Sequence, residues 1–291
     1  SPDYRLYARE RLDTDQIFAR LCQQLLLDLP PIAPLVVAMD DSLLRRGGRK
    51  VHGVACRRDP LSPPYHTNLV PGQRILEVAA ALPLGQEVTR LIPIAFRHAP
   101  TAPRPKAKAD AETLAAYADA RRLTTMGQYG ANELTRLREQ VPAERALHAV
   151  VDGRFTVSTL FKQLPAGTTL IGRLRKDAKL YYPPVTQPAR GRPRHYGRRA
   201  PTPEQVRTDE TIPYQAVTLR HQGATLNFKV KTLKAVKWRF AGPERELQLL
   251  VIAPVGYLRT ATGKILYRQP AFLICTDPYL TAEEILRDYL Q

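Results

Sequence analysis

Two short apolar segments that each end in an aspartate constrain the fold of this chain most strongly. Residues 35–40 read LVVAMD and residues 148–152 read HAVVD. Such runs are typical of buried strands, and ligands in open α/β sheets bind at the carboxyl ends of strands. Asp40 and Asp152 are 112 residues apart. They can act together only if the fold brings the ends of the two strands side by side.

The segments around these two strands predict a mixed α/β sheet flanked by helices. Strands followed by an alternation of helix and strand are typical of this fold class. Helical spacing predicts a helix at 14–29 capped by Thr14, one long helix or two short ones at 109–141, and a short helix near 156–163. Short apolar runs predict strands at 51–56, 74–82 and 169–175.

The last third of the chain has a different pattern. Residues 183–203 are rich in Pro, Gly and Arg and predict an exposed basic loop. Alternating segments at 212–221, 224–240 and 246–255 predict a β-rich block. A further buried strand follows at 271–275, and Thr281 with Glu284 forms a capping-box pattern that predicts a helix to the last residue.

The charge of the chain indicates a polyanionic partner. Lys and Arg total 44 against 27 Asp and Glu, which gives a net charge of +17. An excess of this size favours capture of nucleic acid. A membrane surface is less favoured, because no strongly amphipathic basic helix is evident and the apolar runs are too short to span a bilayer. We therefore expect a DNA partner and no membrane.

The cysteines and histidines exclude several other classes of site. Cys22, Cys56 and Cys275 form no CxxC pair, so neither a disulfide framework nor a zinc ribbon is expected, which fits a reducing cytoplasm. The six histidines show no ligand spacing. GxSxG, Walker and GxGxxG patterns are also missing, so the sequence signals neither a hydrolase triad nor a nucleotide-binding loop. The first ten residues are charged and predict no secretion signal.

Carboxylates at two strand ends have a specific chemical use. They are hard oxygen ligands, and Mg²⁺ prefers one or two of them together with waters and phosphate oxygens. Two such ions, about 3.5–4 Å apart, can activate a water on one side of a phosphodiester and stabilise the leaving oxygen on the other. Asp40 and Asp152 are therefore the candidate catalytic residues and metal ligands.

Three segments resemble the motifs of DDE transposases from bacterial insertion sequences. VVAMDDSLLRRGGRKVHG resembles the first motif, in which a strand ends in Asp, any residue, then Thr or Ser, here Ser42. VVDGRFTVSTLFKQLPAGTTLIGRLRKDAKLY resembles the second motif, which ends in Arg-x-Arg. FLICTDPYLTAEEILRDYLQ resembles the approach to the third motif, a capped helix with Tyr, two residues, Arg, three residues and Glu. Tyr289 matches that tyrosine.

The resemblance implies a ribonuclease H-like mixed sheet with a β-rich insertion before the last core helix. It also implies a two-metal site for Mg²⁺ or Mn²⁺ at Asp40 and Asp152, and a homodimer on double-stranded DNA. The divisions that follow are an N-terminal helical segment at 1–33, the first part of the core at 34–182, the basic loop at 183–203, the insertion at 204–268, and the last core strand with the start of the final helix at 269–291.

The third carboxylate of the motif would fall outside this sequence. By the motif spacing, its Arg would be the first residue after Gln291 and its Glu the fifth. The fragment alone is therefore expected to be inactive. Within the chain, Asp277, Glu283 and Glu284 are candidates, but turn and cap roles are favoured for all three.

The first ligand has an alternative as well. Asp41 could replace Asp40, since adjacent strand residues face opposite sides of a sheet. The spacing to Ser42 in the motif favours Asp40.

Several basic residues are candidates for DNA contact. Arg173 and Arg175 alternate along a strand near the expected site, and Lys229 and Lys231 repeat this pattern in NFKVK. A solvated sheet face is the simpler interpretation of each pair. As a group they would suit a surface that follows phosphates without reading bases.

Two further DNA-binding candidates lie in the insertion and in the basic loop. Trp238, the only tryptophan, could stack on a base flipped out beside the cut, as aromatics of related transposases do, or could be a core residue. Arg192 and Arg194 of GRPR could enter a narrow minor groove, or could belong to a flexible linker.

The sequence as a whole predicts the catalytic core of a DNA transposase in the bacterial cytoplasm, associated with the nucleoid. It would hydrolyse a phosphodiester at the transposon end and join the freed 3′-hydroxyl to target DNA. The alternatives are a structure-selective nuclease of the same fold and a catalytically inert DNA-binding or assembly module.

Overall fold

A mixed β-sheet forms the centre of the molecule. The structure is a computed structural model that describes residues 13–48, 51–63, 65–85, 88–186, 191, 193–259 and 263–291. Eleven strands form the sheet. They are β1 (Leu35–Arg45), β2 (Ala55–Arg58), β3 (Leu69–Pro83), β4 (Thr89–His98), β5 (Leu147–Val151), β6 (Thr168–Arg173), β7 (Leu180–Tyr181), β8 (Gln215–His221), β9 (Ala224–Trp238), β10 (Leu247–Ile252) and, after a separate hairpin of β11 (Gly256–Leu258) and β12 (Ile265–Tyr267), β13 (Ala271–Cys275).

Helices flank this sheet and connect its parallel strands. They are α1 (Thr14–Asp28), α2 (Ala111–Leu123), α3 (Met126–Gln140), α4 (Ser158–Lys162), α5 (Pro203–Thr208) and α6 (Ala282–Leu290), with a 3₁₀ turn at Arg239–Ala241. Among the residues that the structure describes, no helix is long and apolar enough to cross a lipid bilayer.

The first half of the sheet has the strand order β4–β3–β1–β5–β6. β1 pairs antiparallel with β3 and parallel with β5, and β5 pairs parallel with β6. Parallel neighbours need a crossover, and α2, α3 and α4 lie in these connections. The mixed sheet flanked by helices that the sequence predicted is therefore confirmed.

The strands predicted as an insertion continue this same sheet. β13 pairs with β6 and with β10, and β10 pairs with β9, all antiparallel. All six residues of β10 are buried. β13 covers the edge of β6, whose backbone groups would otherwise lack partners, and β10 in turn pairs with the other side of β13.

The two faces of the sheet carry separate hydrophobic cores. Leu35, Val37 and Met39 of β1 pack into one core with α1, α3 and α4, whereas Val36 packs into the other core with α6. This alternation has the period of two that a strand imposes. Asp40 continues the row of Val36 toward the α6 face.

The ends of the helices follow local capping chemistry. α1 is capped by Asp13, whose carboxylate accepts from the N–H groups of Asp15 and Gln16, so the prediction of Thr14 as the cap was wrong by one residue. The capping box of Thr281 and Glu284 is confirmed. The region 109–141 forms two helices, because Thr125 caps a new helix directly after α2.

Candidate active site

Asp40 and Asp152 lie side by side on neighbouring parallel strands. The register of β1 and β5 pairs Met39 with Val151, and the next residues are Asp40, within β1, and Asp152, directly after the end of β5. Neighbouring strands lie about 4.8 Å apart. The register thus brings together two carboxylates that are 112 residues apart in the sequence.

The turn after β5 fixes the orientation of Asp152. Its Oδ1 accepts hydrogen bonds from the N–H groups of Arg154 at 2.8 Å and Phe155 at 3.2 Å. The hydroxyl of Thr156 donates to the Asp152 carbonyl at 2.8 Å. Local bonds of this kind are what Asp supplies in turns. They leave Oδ2 of Asp152 without a bond to this turn.

Asp40 has an unfavourable electrostatic environment for its charged form. Partial burial raises the pKa of the Asp40 carboxyl, and the charges of Asp152 and Asp41 raise it further. The hydrogen bond from the Asp41 N–H, at 2.7 Å, and the charge of Arg154 oppose this rise in pKa. Two carboxylates that repel each other are stabilised by a cation between them.

Asp41 points into a cluster of arginines. Nη1 of Arg154 lies 2.5 and 2.6 Å from the two carboxylate oxygens of Asp41, and Nε of Arg74 lies 3.3 Å from one of them. The Asp41 side chain is 5% exposed. Because Asp41 is neutralised in this way and Asp40 is exposed, the geometry favours Asp40 over Asp41 as a metal ligand.

The donor set is suited to a hard divalent cation with open positions. Asp40 and Asp152 provide two carboxylates, which is the number that Mg²⁺ uses when waters and phosphate oxygens complete its shell. In the described part of the chain, no group of three or more His, Cys, Asp or Glu residues is placed to hold a metal ion. The two carboxylates fit an ion whose remaining positions are taken by waters and phosphate oxygens.

The three in-chain candidates for a third carboxylate have structural partners. Asp277 accepts from the Tyr279 N–H at 2.8 Å in a turn. Glu283 pairs with Arg287 at 2.5 Å on the surface of α6. Glu284 accepts from the Thr281 N–H and hydroxyl at 2.8 and 2.7 Å. Asp277 and Glu284 thus have the turn and cap roles that the sequence favoured, whereas Glu283 forms a surface ion pair.

A family model described as DDE superfamily endonuclease matches residues 4–241. The chain belongs to this superfamily. The matched stretch includes Asp40 and Asp152. Membership implies an enzyme of the nuclease or transposase kind that acts on nucleic acid, and nucleases of this superfamily generally use divalent metal ions. No curated protein sequence matches the chain significantly.

Arg173 is the basic residue closest in register to the carboxylates of this DDE endonuclease. Gly172 pairs with Val151, so Arg173 is the next strand position beside Asp152, and it is exposed. Arg175 lies beyond the strand, is 85% exposed and pairs with Asp177 at 3.1 Å. Arg173 is therefore beside Asp152 in register, whereas Arg175 lies outside β6, so the two arginines do not alternate along one strand.

The two lysines of β9 have different environments. Lys229 is exposed, as a phosphate contact requires. Lys231 is 3% exposed and donates to the carbonyls of Arg207 and Asp209 at 3.0 and 2.6 Å. The prediction that Lys231 faces DNA was wrong, because its ammonium is fully used in joining α5 to the sheet.

The only tryptophan belongs to the core of this DDE endonuclease. Trp238 is 7% exposed and packs edge-on against Phe161, with ring centroids 5.4 Å apart. The interpretation in which Trp238 stacks on a flipped base is therefore wrong, because the ring is buried. Phe240, which contacts Trp238 and is 54% exposed, is the accessible aromatic of this segment.

The remaining candidates are placed as follows. Ser42 is half-buried on β1, and Tyr289 is half-buried on α6, on the same face of the sheet as Val36. Arg194 is exposed, whereas Arg192 lies outside the described residues.

Three residues near the carboxylates were missed by the sequence reasoning. Arg74 and Arg154 bind Asp41, and Glu77 lies directly opposite Asp40 on β3. Arg154 had a usable signal, since it follows Asp152 by two residues within the second motif. Arg74 and Glu77 had none, because the register of an antiparallel pair is not evident from either strand alone.

Proposed function

We propose that this chain is the catalytic core of a DNA transposase that uses Mg²⁺ or Mn²⁺ bound by Asp40 and Asp152. One observation supports the proposal: in the register of β1 and β5, Asp40 within β1 is next to Asp152, the first residue after β5. The pKa of Asp40, which is raised first by burial and further by the charge of Asp152, supports it, because a bound cation would stabilise the charged carboxylate. The excess of basic residues supports DNA as the substrate.

Each residue of the site has a distinct part in the proposed reaction. Asp152 presents the oxygen that its turn leaves uncommitted, and Asp40 presents its exposed carboxylate beside it. Arg173 would hold a phosphate next to the reacting one. Bound divalent ions would supply an activated water and stabilisation of the leaving oxygen. After hydrolysis, the 3′-hydroxyl of the cut strand would attack target DNA by in-line displacement, with no covalent link to the protein.

A third carboxylate is proposed on a continuation of α6. This helix packs on the face toward which the row of Val36 and Asp40 projects, and His148 Nδ1 lies 2.7 Å from Asp288 Oδ2, which fastens the helix to β5. The motif beginning at Tyr289 would place an Arg first and a Glu fifth after Gln291. The sequence of the encoding gene tests this directly, and a stop codon after Gln291 would favour the inert DNA-binding module.

A nuclease without joining activity is the second candidate. It is favoured by the description of the matching family as endonucleases, and it requires the same two carboxylates. In either case we propose that the protein acts on double-stranded DNA in the bacterial cytoplasm. By resemblance to transposases, a homodimer would assemble on the DNA.

The decisive experiment uses the protein as its gene encodes it in full. The wild type should cut a labelled DNA end in Mg²⁺ and join it to a target plasmid, whereas Asp152→Asn should bind the same DNA and cut none. Asp177→Asn is the matched control, since it removes an exposed aspartate that pairs with Arg175. Cutting that survives in Asp152→Asn would overturn the site assignment. Hydrolysis without joining would support the nuclease.

A further inference from the structure

A large cavity lies beside the Asp41 side of β1. Its volume is about 920 Å³. The cavity is bounded by the segment before β2, the segment after β4, the second half of α2, the first turn of α3 and the turn that carries Arg154. Asp40 and Asp41 are consecutive and face opposite sides of the strand. The cavity and the carboxylate pair therefore lie on opposite sides of the same stretch of β1.

The lining of this cavity is strongly basic. Arg74, Arg104, Arg121 and Arg154 all line it, and none of its lining residues is acidic. Asp41 compensates part of the charge through Arg74 and Arg154. Arg104 and Arg121 have no ion-pair or hydrogen-bond partner in the described part of the chain, and both are exposed in the wall.

A fifth arginine lies behind the wall and adds to its positive charge. Arg57 is 9% exposed, and its Nη2 donates at 3.3 Å to the hydroxyl of Thr101, which lines the cavity. Its buried Nε has no hydrogen-bond partner among the described residues. Burial and the charge of Arg57 lower the pKa of Arg74. Concentrated positive charge of this kind favours the binding of an anion.

The shape of the cavity suits more than a small anion. Val54, Met126 and Val157 provide apolar surface, and Tyr117 lines the cavity together with Arg104 and Arg121. A second cavity of about 520 Å³ shares Arg104, Tyr117 and Arg121 and adds Lys106. Cavities of roughly 300–1,000 Å³ hold small organic ligands. Basic residues interleaved with an aromatic ring are typical of surfaces that bind single-stranded nucleic acid.

We propose that these two cavities bind an unpaired stretch of DNA that extends from the duplex held at Asp40 and Asp152. Arg104 and Arg121 bind its phosphates, and Tyr117 stacks on a base. The volumes of the two cavities are in the range that holds about one or two nucleotide-sized groups. The inference rests on the proposed function for the identity of the strand. The binding site itself requires only the charge and the shape of the cavity.

The test measures DNA binding without divalent ions, so that cutting does not interfere. One fluorescent probe is a blunt duplex, and the other is the same duplex with a single-stranded extension of about four nucleotides. The wild type should bind the extended probe more tightly. Arg104→Ala with Arg121→Ala, and separately Tyr117→Ala, should weaken binding of the extended probe by about tenfold and change blunt-duplex binding little. Tyr117→Phe should retain the preference.

The control removes the same charge elsewhere. Arg122 is adjacent to Arg121, is 78% exposed, pairs with Asp119 and does not line either cavity. Arg20 is exposed on α1 and lines neither cavity. Arg20→Ala with Arg122→Ala should therefore keep the preference for the extended probe. Equal binding of both probes by the wild type would overturn the proposal, as would an equal loss on both probes in the Arg104 and Arg121 variant. Tight binding of a free nucleoside monophosphate would overturn it in favour of a small-molecule site.

The outcome is independent of the catalytic proposal. A protein that prefers the extended probe but never cuts DNA retains the single-strand site and loses the proposed function. A protein that cuts DNA with no preference between the probes retains the function and loses the site.

Discussion

Arg154 donates from Nη1 to both carboxylate oxygens of Asp41, at 2.5 and 2.6 Å. This contact joins the turn after β5 to β1 across 113 residues of sequence. Asp152 begins that turn and Asp40 precedes Asp41, so the ion pair fixes the relative position of the two candidate ligands. A pair that is not itself catalytic therefore positions the site.

Asp41→Asn should destabilise the fold and also reduce cutting. The Asp41 side chain is 5% exposed, and the substitution leaves Arg74 and Arg154 without their carboxylate. We expect a loss of about 1–3 kcal/mol in the free energy of unfolding, below the value for a fully buried pair because Arg154 is 51% exposed. Urea unfolding followed by the fluorescence of Trp238 measures this loss. In the control variant Asp177→Asn the free energy should stay almost unchanged, and an equal loss in both variants would contradict the prediction.

Asp40→Asn should stabilise the metal-free protein. The pKa of Asp40 is raised chiefly by burial, so the charged carboxylate destabilises the folded protein. This destabilisation is absent at pH values below the ordinary aspartate pKa and complete at pH values above the raised pKa. The gain in melting temperature, roughly 2 °C, should therefore grow as pH rises through that window. Mg²⁺ should raise the melting temperature of the wild type more than that of the variant. A wild type that is more stable than the variant at neutral pH without metal would argue against this.

Lys229→Ala should weaken DNA binding and leave stability unchanged, whereas Lys231→Ala should lower stability and leave DNA binding almost unchanged. Lys229 is exposed, so its loss should weaken DNA binding a few-fold and leave stability unchanged. The slope of the logarithm of the binding constant against the logarithm of salt concentration should become shallower by about one. Lys231→Ala removes hydrogen bonds to two carbonyls and should cost about 1–3 kcal/mol of stability with little effect on DNA affinity. Anisotropy titrations at several salt concentrations and urea unfolding separate the two effects. Reduced DNA affinity in a folded Lys231→Ala protein would contradict this assignment.

Asp288→Ala should loosen α6 from the sheet. The side chains of His148 and Asp288 are each 9% exposed and lie 2.7 Å apart, so the variant leaves a buried imidazole nitrogen unpaired. We expect a cost of about 1–3 kcal/mol and faster hydrogen exchange in α6 and β5. Arg287→Ala is the control, because its pair with Glu283 is about half exposed on both sides. Exchange that is equally fast in both variants would show that the buried contact does not hold the helix.

The sequence by itself determined the features that depend on local chemistry. The apolar runs before Asp40 and Asp152 predicted two buried strands, and the alternation of strands and helices predicted the mixed sheet. The capping box at Thr281 predicted the start of α6, because a cap needs only residues three apart. The basic composition indicated nucleic acid for the same reason, since net charge requires no coordinates.

Only the tertiary structure decided which of several similar residues face the site. Lys229 and Lys231 have similar positions in the sequence pattern, but Lys231 is buried and donates to carbonyls of α5 and of the residue that follows it. Trp238 is buried against Phe161. Asp41 is neutralised by arginines from β3 and from the turn after β5. These outcomes depend on strand register and on contacts between distant segments. A sequence read one segment at a time does not contain that information, because register is set by pairing with a partner strand.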